Sequence, residues 1–404
     1  MTDHILVIHR WRDRHALYEH YIDHHAHRVS YVTTELGRAS VPETAAEIVT
    51  VPATDDLEAV RAATETLAAR FGPPARVLAL NEGDLDTAAR LRAHLGYPGQ
   101  RPDRLARFRD KLTMVRTVSA AGLAVPAFAD APGPEAVLDF AETHGWPVVV
   151  KPRRGTASRG VLRLDSAEEV SALGDLAPEP RLVQRFCPDP VYHVDGLWTG
   201  TELGPWRASR YLNTCVDFTV GEVLGSVEVD DPDLLGPLGD FTAAVAGALS
   251  DRPWVFHLEV FVGSGGDGLP RITFLEAGYR VGGAEIPFLW REVHGIDLMA
   301  AAADVQLGRT PSLRVPATWE TGGWLLVPTP VPAPCRVVSA ELRIDPQEGP
   351  YARVVPPVGR LVPRVGGYEH VGARFRFRGA CTDDVEKAIV KTASQFRLVC
   401  SPVP

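Results

Sequence analysis

A lysine followed by a glycine-rich loop is the first feature of the sequence that could bind a charged ligand. Lys151 follows the apolar segment WPVVV, and the loop after it contains Gly155, Thr156, Ser158 and Gly160. Glycines let a backbone approach phosphates closely, successive backbone N–H groups can bind an anion, and a lysine adds positive charge. The Walker A pattern GxxxxGK[ST] is absent, so the segment predicts either another type of phosphate-binding loop or an ordinary turn beside a lysine.

The scarcity of lysine makes individual lysines informative. Only four of the 42 basic residues are lysines, namely Lys111, Lys151, Lys387 and Lys391. In an arginine-rich chain, a lysine is expected where a compact, flexible point charge is needed and a planar guanidinium would not fit. Lys111 and Lys151 are therefore candidates for contact with a ligand.

Two glutamates on neighbouring predicted strands form a candidate metal site. Glu259 and Glu276 alternate with apolar residues in HLEVF and FLEAG, and the segment GSGGDG joins the two strands. Carboxylates on one face of a hairpin repel each other unless a cation such as Mg²⁺ lies between them. Arg280, four residues after the second glutamate, can neutralise a phosphoryl or acyl-phosphate charge. A solvated edge hairpin with a surface salt bridge is the alternative interpretation.

The elements that must position these residues begin with a predicted parallel α/β unit. Short apolar segments alternate with amphipathic ones, which is typical of strands connected by helices. The predicted strands are 4–10, 27–34, 46–52 and 75–81, and the predicted helices are 11–23, 55–70 and 84–95. A longer helix over 103–121 follows, and Gly122 with Pro126 marks a domain boundary.

The rest of the chain predicts a small α+β lobe and then a larger one. The small lobe has predicted helices at 134–144 and from Ser166, with strands at 146–152, 161–165 and 181–187. The larger lobe has antiparallel strands in YHVDGLWTG and RASRYLN, strands 254–262 and 271–277, and helices within 231–250, 295–307 and 382–394. A proline-rich crossing at 328–335 precedes the last module.

Four segments, taken in order, resemble the signature segments of ATP-grasp carboxylate ligases. They are FRDKLTMVRTVSAAGLAVPAF (108–128), VVVKPRRGTASRGV (148–161), LVQRFCPDPVYHVDG (182–196) and HLEVFVGSGGDGLPRITFLEAGYRVGGAEIP (257–287). The resemblance runs from about residue 75 to residue 310. It implies an ATP-grasp fold of the α/β and α+β classes, with a parallel α/β domain, a small lid lobe and a C-terminal α+β lobe.

The resemblance also implies a division of the chain into five parts. We expect an N-terminal α/β domain at 1–102, a linking helix at 103–124, the small lobe at 125–190, the large lobe with the Mg/ATP site at 191–310, and a module at 311–404 that completes the large lobe. The first and last parts resemble the family more loosely than the middle.

By the same resemblance, most of the candidate residues surround ATP. Lys111 and Lys151 would contact the phosphates, and the loop 153–160 would close over them as a flap. Magnesium would lie at Glu259 and Glu276, with Arg280 at the transferred phosphoryl group, and Lys151 and Arg280 would be catalytic. The implied nucleotide-binding residues are Lys111, Lys151, Gly155, Thr156, Ser158, Gly160, Gln184, Arg185, Phe186, Cys187 and His257, of which 184–187 form the hinge beside adenine.

Three positions depart from the family pattern. Val191 stands where the family often has a glutamate for the ribose hydroxyls, and Gln184 stands at the first acidic position. Gly278 stands where many members have an asparagine as a third magnesium ligand, a place that water can fill. The segment EAGYRVGG resembles the variant of amino-acid ligases, in which ExxxR and a glycine pair occur without that asparagine.

Weaker candidates would lie beside the substrates. They are His193, Arg210, Tyr211, Gly282 and Gly283. His193 shares a predicted strand face with Asp195, so a cross-strand hydrogen bond explains it as well, and a surface position is the alternative for the arginine and the tyrosine. His257 would either orient Glu259 or contact phosphate, with core packing as the alternative.

The resemblance implies an ATP-dependent carboxylate–amine ligase. We expect it to activate a carboxylate, that of an amino acid, as an acyl phosphate, and to couple it to an amine with release of ADP and phosphate. The expected cofactors are ATP and two magnesium ions, for which manganese can substitute. The alternatives are a biotin-carboxylase-like or CoA-thioester-forming enzyme and, from another class, a nucleotide-binding regulatory protein without turnover.

Composition restricts the expected partners and compartment. A net charge of −9 disfavours general nucleic-acid binding. The sequence has no run of 18 apolar residues and no apolar signal-peptide region near its first residue, so no membrane association is expected. The five cysteines form no CxxC pair, which is typical of a reducing compartment. We therefore expect a cytoplasmic enzyme with small-molecule substrates, for which a homodimer is one option.

Overall fold

The computed structural model describes the chain with short gaps. The described residues are 3–156, 158–172, 179–214, 217–218, 221–266, 268–313, 315–316, 319–364 and 371–403. No helix within these ranges is both long and apolar enough to cross a lipid bilayer.

The N-terminal unit contains the predicted parallel sheet. Its described strands are β1 (His4–His9), β2 (Arg28–Thr33), β3 (Glu47–Thr50) and β4 (Arg76–Ala79), in the spatial order β3-β2-β1-β4. The helices of this unit are α1 (Tyr18–Tyr21), α2 (Leu57–Phe71) and α3 (Glu82–Leu95), and a 3₁₀ turn spans Gly37–Ser40. Every residue of β1 is buried, as expected for a central parallel strand. The carboxyl ends of β1 and β4 open on the crevice where such sheets bind ligands.

The predicted helix over 11–23 is wrong, because only Tyr18–Tyr21 is helical in this segment. The rings of Trp11 and His15 stack with centroids 5.4 Å apart, and His15 also lies 5.1 Å from the ring of Phe288. These tertiary ring contacts override the local helical pattern.

The predicted helix over 103–121 is two helices. α4 (Pro102–Arg109) ends and α5 (Lys111–Ala120) begins at Asp110, whose ψ of 106° is extended. The Asp110 side chain accepts hydrogen bonds of 3.1 Å from two backbone N–H groups in the first turn of α5. An aspartate in this N-cap position stabilises the start of a new helix, and the break places Lys111 at its first residue.

The small lobe is an antiparallel sheet with the two predicted helices and the three predicted strands, and its edge strand Phe128–Ala131 was not predicted. Among the residues described, its strands are β5 (Phe128–Ala131), β6 (Val148–Pro152), β7 (Leu162–Leu164) and β8 (Arg181–Arg185), in the order β5-β8-β6-β7. The helices are α6 (Pro134–His144) and α7 (Ala167–Ala172). Val137 and Phe140 of α6 pack on Val148, Val150 and Val183 of the sheet. Lys151 therefore lies at the end of a well-packed strand, next to the glycine-rich loop.

The largest sheet continues into the C-terminal residues. In the described part of the chain its eight antiparallel strands are, in spatial order, β13 (Pro270–Gly278), β12 (Trp254–Ser264), β9 (Val191–Trp198), β10 (Leu203–Tyr211), β11 (Leu224–Glu228), β14 (Thr321–Val327), β18 (Ala373–Gly379) and β16 (Ala352–Val354). Its helices are α8 (Pro232–Leu249), α9 (Ile286–Val293), α10 (Leu298–Leu307) and α11 (Thr382–Gln395). A smaller sheet contains β17 (Leu361–Val362), β15 (Cys335–Leu342) and β19 (Phe396–Pro402).

Helix α9 is absent from the sequence-based prediction, although its pattern is visible in the sequence. Leu289 and Trp290 are buried on one side of it, and Pro287 lies in its first turn, where proline is tolerated. The predicted helix over 295–307 is confirmed as α10, which begins after the N-cap Asp297.

Candidate active site

A cavity of about 1380 Å³ collects most of the predicted site residues. It lies where the carboxyl ends of β1 and β4, the end of β6 and the β12–β13 hairpin meet. The predicted residues in its lining are Lys111, Lys151, Gly155, Thr156, Ser158, Gln184, Arg185, Phe186, Cys187, Tyr211, His257, Glu259, Glu276, Arg280, Gly282 and Gly283.

The two predicted metal ligands lie directly opposite each other. Glu259 and Glu276 are partners in the β12–β13 register, as strand alternation predicts. The Tyr211 hydroxyl donates to Glu259 Oε1 at 3.0 Å, and His257 Nε2 lies 3.5 Å from the same oxygen. Burial alone would raise the pKa of Glu259, but the hydrogen bond and charge of His257 lower it below its usual range. The pair therefore offers the oxygen ligands that a hard cation prefers.

The two predicted phosphate-binding lysines have different surroundings. Lys111 Nζ lies 3.2 Å from Glu276 Oε2 and donates to the Gly155 carbonyl oxygen at 3.2 Å. Lys151 is only 4% exposed, and its ammonium group has no hydrogen bond or ion pair with any described residue. Burial, assisted by the charge of Lys111, lowers the pKa of Lys151 to about 8 against the opposing pull of the two glutamates. A buried cation without a direct partner fits an anionic ligand.

Arg280 is held by a residue that the sequence analysis missed. Its Nε donates to Glu82 Oε2 at 2.8 Å, and its Nη1 donates to the Val281 carbonyl oxygen at 3.1 Å. Burial alone would lower the pKa of Arg280, but the charge and hydrogen bond of Glu82 raise it above its usual value. Glu82 lies three residues after Ala79, the last residue of β4. Parallel sheets present ligand-binding groups beyond the carboxyl ends of their strands, and this signal could have identified Glu82.

Behind the carboxylates lies a buried cluster of His193, Asp195 and His257. His193 Nδ1 donates to Asp195 Oδ2 at 2.6 Å, and His257 Nδ1 donates to Asp195 Oδ1 at 2.9 Å. Burial alone would raise the pKa of Asp195, but the two histidines lower it well below its usual range. Burial alone would lower the pKa of His257, but the charge and hydrogen bond of Asp195 raise it to about 9. The three side chains satisfy one another, so the cluster holds His257 against Glu259.

The sequence has distant relatives among curated proteins, although no protein-family model matches it. An L-arginine-specific L-amino acid ligase from Bacillus subtilis is 22% identical over 269 residues, which are 64% of this chain and 64% of that protein. A D-alanine–D-alanine ligase from Streptomyces griseus is 36% identical over 69 residues, 17% of this chain and 16% of that protein. The matched regions therefore span less than two thirds of either curated relative.

The three-dimensional comparison covers the whole chain. The crystal structure of an L-amino acid ligase from Bacillus licheniformis matches with a TM-score of 0.72 and 16% identity, over 100% of both chains. The chain has the ATP-grasp fold. The predicted fold class and the resemblance to ATP-grasp ligases are thereby confirmed.

Two predicted substrate residues of this ATP-grasp chain lie outside the described cavity lining. His193 is buried in the cluster, where its Nε2 lies 2.7 Å from the Ser226 hydroxyl oxygen. Arg210 forms an ion pair of 2.7 Å with Glu386 of α11, whereas Tyr211 lines the cavity. Neighbouring residues of a strand point to opposite faces, which explains why these two separate. The histidine packs in the buried cluster and the arginine joins β10 to α11, so neither side chain is placed at the cavity, and their contact with a substrate stays a prediction.

The segment 184–187, predicted as the hinge beside adenine, lies at the end of β8. Gln184 is buried, and its Nε2 has no hydrogen-bond acceptor among the described residues although the residue lines the cavity. Arg163 places its guanidinium carbon 4.5 Å from the centre of the Phe186 ring. The unsatisfied amide fits a polar ligand edge. Val191, which stands where the family resemblance implies an acidic ribose ligand, also lines the cavity.

The predicted flap of the ATP-grasp fold contacts the N-terminal unit. Arg154 Nη1 lies 2.8 Å from Asp86 Oδ1 of α3. Gly160 is not among the residues that line the cavity, and its contact with the nucleotide stays a prediction. With a φ of 70°, Gly160 turns the chain beneath Pro152, where an added Cβ would lie 3.0 Å from the proline Cγ. Residue 157 of the flap lies outside the described ranges.

Two glycines near Arg280 differ in the space that they leave for a side chain. An added Cβ at Gly282 would lie 2.5 Å from Asp195 Oδ1 and 2.5 Å from Ile286 Cδ1, so no larger residue fits there without movement. An added Cβ at Gly278 would lie 3.4 Å from both Cγ and Nε of Arg280, which is ordinary contact. Packing against Arg280 therefore does not by itself require a glycine at position 278.

Proposed function

We propose that this protein is an ATP-dependent carboxylate–amine ligase that activates an amino acid as an acyl phosphate and couples it to an amine, forming an amide or dipeptide with release of ADP and phosphate. The observation that carries the proposal is the convergence on one cavity of the opposed Glu259 and Glu276 with Lys111, Lys151 and Arg280. The names of the two curated relatives, both amino acid ligases, support the choice of substrate class.

The chemistry of the donor set fits a metal-bound nucleotide. Glu259 and Glu276 supply oxygen ligands, Lys151 is a buried cation without a direct partner among the described residues, and the Gln184 amide is an unused donor. Magnesium, when bound at the two glutamates, would neutralise phosphate charge. We expect two such ions, with manganese as a substitute.

The residues of this chain would act mainly through position and charge. Lys111 and Lys151 hold the phosphates, and Arg280 stabilises the charge on the transferred phosphoryl group. A carboxylate oxygen of the amino acid attacks the γ-phosphorus, the bond to the β,γ-bridging oxygen breaks, and ADP leaves. The amine then attacks the carbonyl carbon, phosphate leaves with the carboxylate oxygen, and the proton of the amine passes to solvent. The flap would exclude water that hydrolyses the acyl phosphate.

A screen of amino-acid pairs with ATP and Mg²⁺ tests the proposal. We expect substrate-dependent release of ADP and phosphate, together with a product whose mass equals the two amino acids minus water. Hydroxylamine in place of the amine should trap the activated acid as a hydroxamate. Stoichiometric AMP would contradict the acyl-phosphate mechanism, and ADP release without amide or hydroxamate for any acid would contradict the ligase assignment.

The same assay separates the alternatives. ADP release that requires bicarbonate or coenzyme A would favour the biotin-carboxylase-like or thioester-forming enzyme. Nucleotide binding without turnover would favour a regulatory protein, a reading to which Val191 and Gly278 point because both replace polar family residues. The presence of both lysines, both glutamates and Arg280 in one cavity favours the active enzyme.

A further inference from the structure

Glu82 of the N-terminal unit lies between two arginines at the candidate active site. It is the first residue of α3, and its side chain is 11% exposed. Its Oε2 accepts a hydrogen bond from Arg280 Nε at 2.8 Å, and its Oε1 accepts one from Arg109 Nη1. Glu82 and Arg280 are 198 residues apart in the sequence, so the contact joins two separate units of the fold.

The contacts of Arg280 hold two of the three nitrogens of its guanidinium group. Glu82 takes Nε and the Val281 carbonyl oxygen takes Nη1, whereas Nη2 has no hydrogen bond with any residue that the structure describes. Because the group is planar, fixing Nε and Nη1 also fixes the direction of Nη2. Arg280 lines the cavity, so Nη2 is the corner available to an oxygen of a ligand.

Two other carboxylates compete for Arg280. Asp195 and Glu259 also attract its charge, although neither lies within hydrogen-bond distance of it. Without Glu82, their attraction would draw the arginine towards the candidate metal ligands. Glu82 is the stronger attractor at the observed position, because it is both an ion-pair partner and a hydrogen-bond acceptor there.

We propose that Glu82 is a positioning residue, which holds the Arg280 guanidinium so that Nη2 faces the transferred phosphoryl group. The proposal rests on the proposed function, in which Arg280 contacts that group. It makes the N-terminal unit a part of the phosphoryl-transfer site and not only a neighbour of it.

The two arginines that Glu82 contacts would be affected differently by its neutralisation. Arg109 has a second partner, Asp86, at 3.0 Å, so it keeps an ion pair when Glu82 is neutralised. Among described residues, Glu82 is the one side chain that Arg280 hydrogen-bonds. Glu82→Gln should therefore weaken the hold on Arg280 more than the hold on Arg109, and it should lower kcat.

Steady-state kinetics of the full chain measures this coupling. We expect Glu82→Gln to lower kcat for ADP release about 10- to 100-fold with less than about a 3-fold change in the KM for ATP. In an Arg280→Ala background, Glu82→Gln should lower kcat by less than about 2-fold, because the positioned group is gone. Glu58→Gln, which breaks the exposed pair with Arg61, is the control and should match the wild type. A wild-type kcat in Glu82→Gln, or additive losses in the double variant, would overturn the proposal.

A crystal structure of Glu82→Gln gives a result that does not depend on turnover. We expect the Arg280 guanidinium to move by about 1 Å or more towards Glu259. An unmoved arginine would overturn the positioning role even in an active enzyme. If the wild type released no ADP with any acid, the proposed function would fail, and the crystal structure alone would still decide whether Glu82 positions Arg280.

Discussion

Lys111 Nζ lies 3.2 Å from Glu276 Oε2, which joins the first residue of α5 to the end of β13. The two side chains are 12% and 28% exposed, so the ion pair borders the cavity and is partly shielded from bulk water. In the proposed reaction the lysine contacts phosphate and the glutamate binds the metal that phosphate also binds. The pair therefore places both side chains where nucleotide and metal would meet.

Glu276→Gln removes one of the two opposed charges and keeps the side-chain shape. We expect ADP release to fall by at least about 100-fold, because a neutral amide is a poorer magnesium ligand than a carboxylate. Calorimetry should still detect ATP binding. Glu348→Gln is the matched control, since Glu348 pairs with Lys391 on the surface and is 58% exposed. Wild-type activity and Mg²⁺ dependence in Glu276→Gln would refute the metal assignment.

Lys151→Ala removes the buried cation from the phosphate end of the cavity. We expect the Kd for ATP, measured by calorimetry, to rise about 10- to 100-fold, the usual effect of losing a charge-assisted hydrogen bond. The melting temperature should not fall through lost ion pairing, because Lys151 has no ion-pair partner in the described structure. Lys391→Ala, a surface lysine paired with Glu348, is the control. An unchanged Kd in folded Lys151→Ala would remove this residue from the site.

The lowered pKa of Lys151 predicts a pH-dependent affinity for ATP. Burial, with a contribution from Lys111, lowers the pKa of Lys151 to about 8, so the free protein loses this charge as pH rises through that value. ATP binds the charged form, so the Kd should be lowest below the pKa and rise above it. Lys151→Arg stays charged and should show a flatter profile between about pH 7.5 and 9. Titration of His257 is common to both proteins, so identical profiles would contradict the prediction.

Gly282→Ala tests the packing of the glycine pair against the buried cluster. The new Cβ would lie 2.5 Å from Asp195 Oδ1, so we expect the free energy of unfolding to fall by about 1–3 kcal/mol. Gly236→Ala in α8 is the control, because its Cβ would meet nothing within 4 Å and alanine favours the helix by up to about 1 kcal/mol. Urea unfolding measures both changes. Equal free energies of unfolding for the two variants would contradict the prediction, because they would show that Asp195 moves to accommodate the new Cβ at little cost.

The sequence by itself determined most of the local elements and the faces that strand periodicity implies. Alternation in HLEVF and FLEAG predicts that Glu259 and Glu276 share a face, and the β12–β13 register confirms it. Strand–helix alternation predicts the parallel N-terminal sheet, and the four ordered segments predict the ATP-grasp fold. The strands and helices depend on residues near each other in the chain, so a repeat of two or 3.6 residues reveals them. The ATP-grasp fold follows instead from the resemblance of the four segments to that family.

Only the tertiary structure decided which distant side chains meet. Periodicity states that Arg210 and Tyr211 face opposite sides of β10, but packing of α11 against the sheet decides that the tyrosine faces the cavity. The contact of Glu82 with Arg280 requires the N-terminal unit to pack against the β12–β13 hairpin. Burial of side chains between distant segments contributes free energy that depends on both segments together. A pattern within one segment therefore cannot predict which side chains meet.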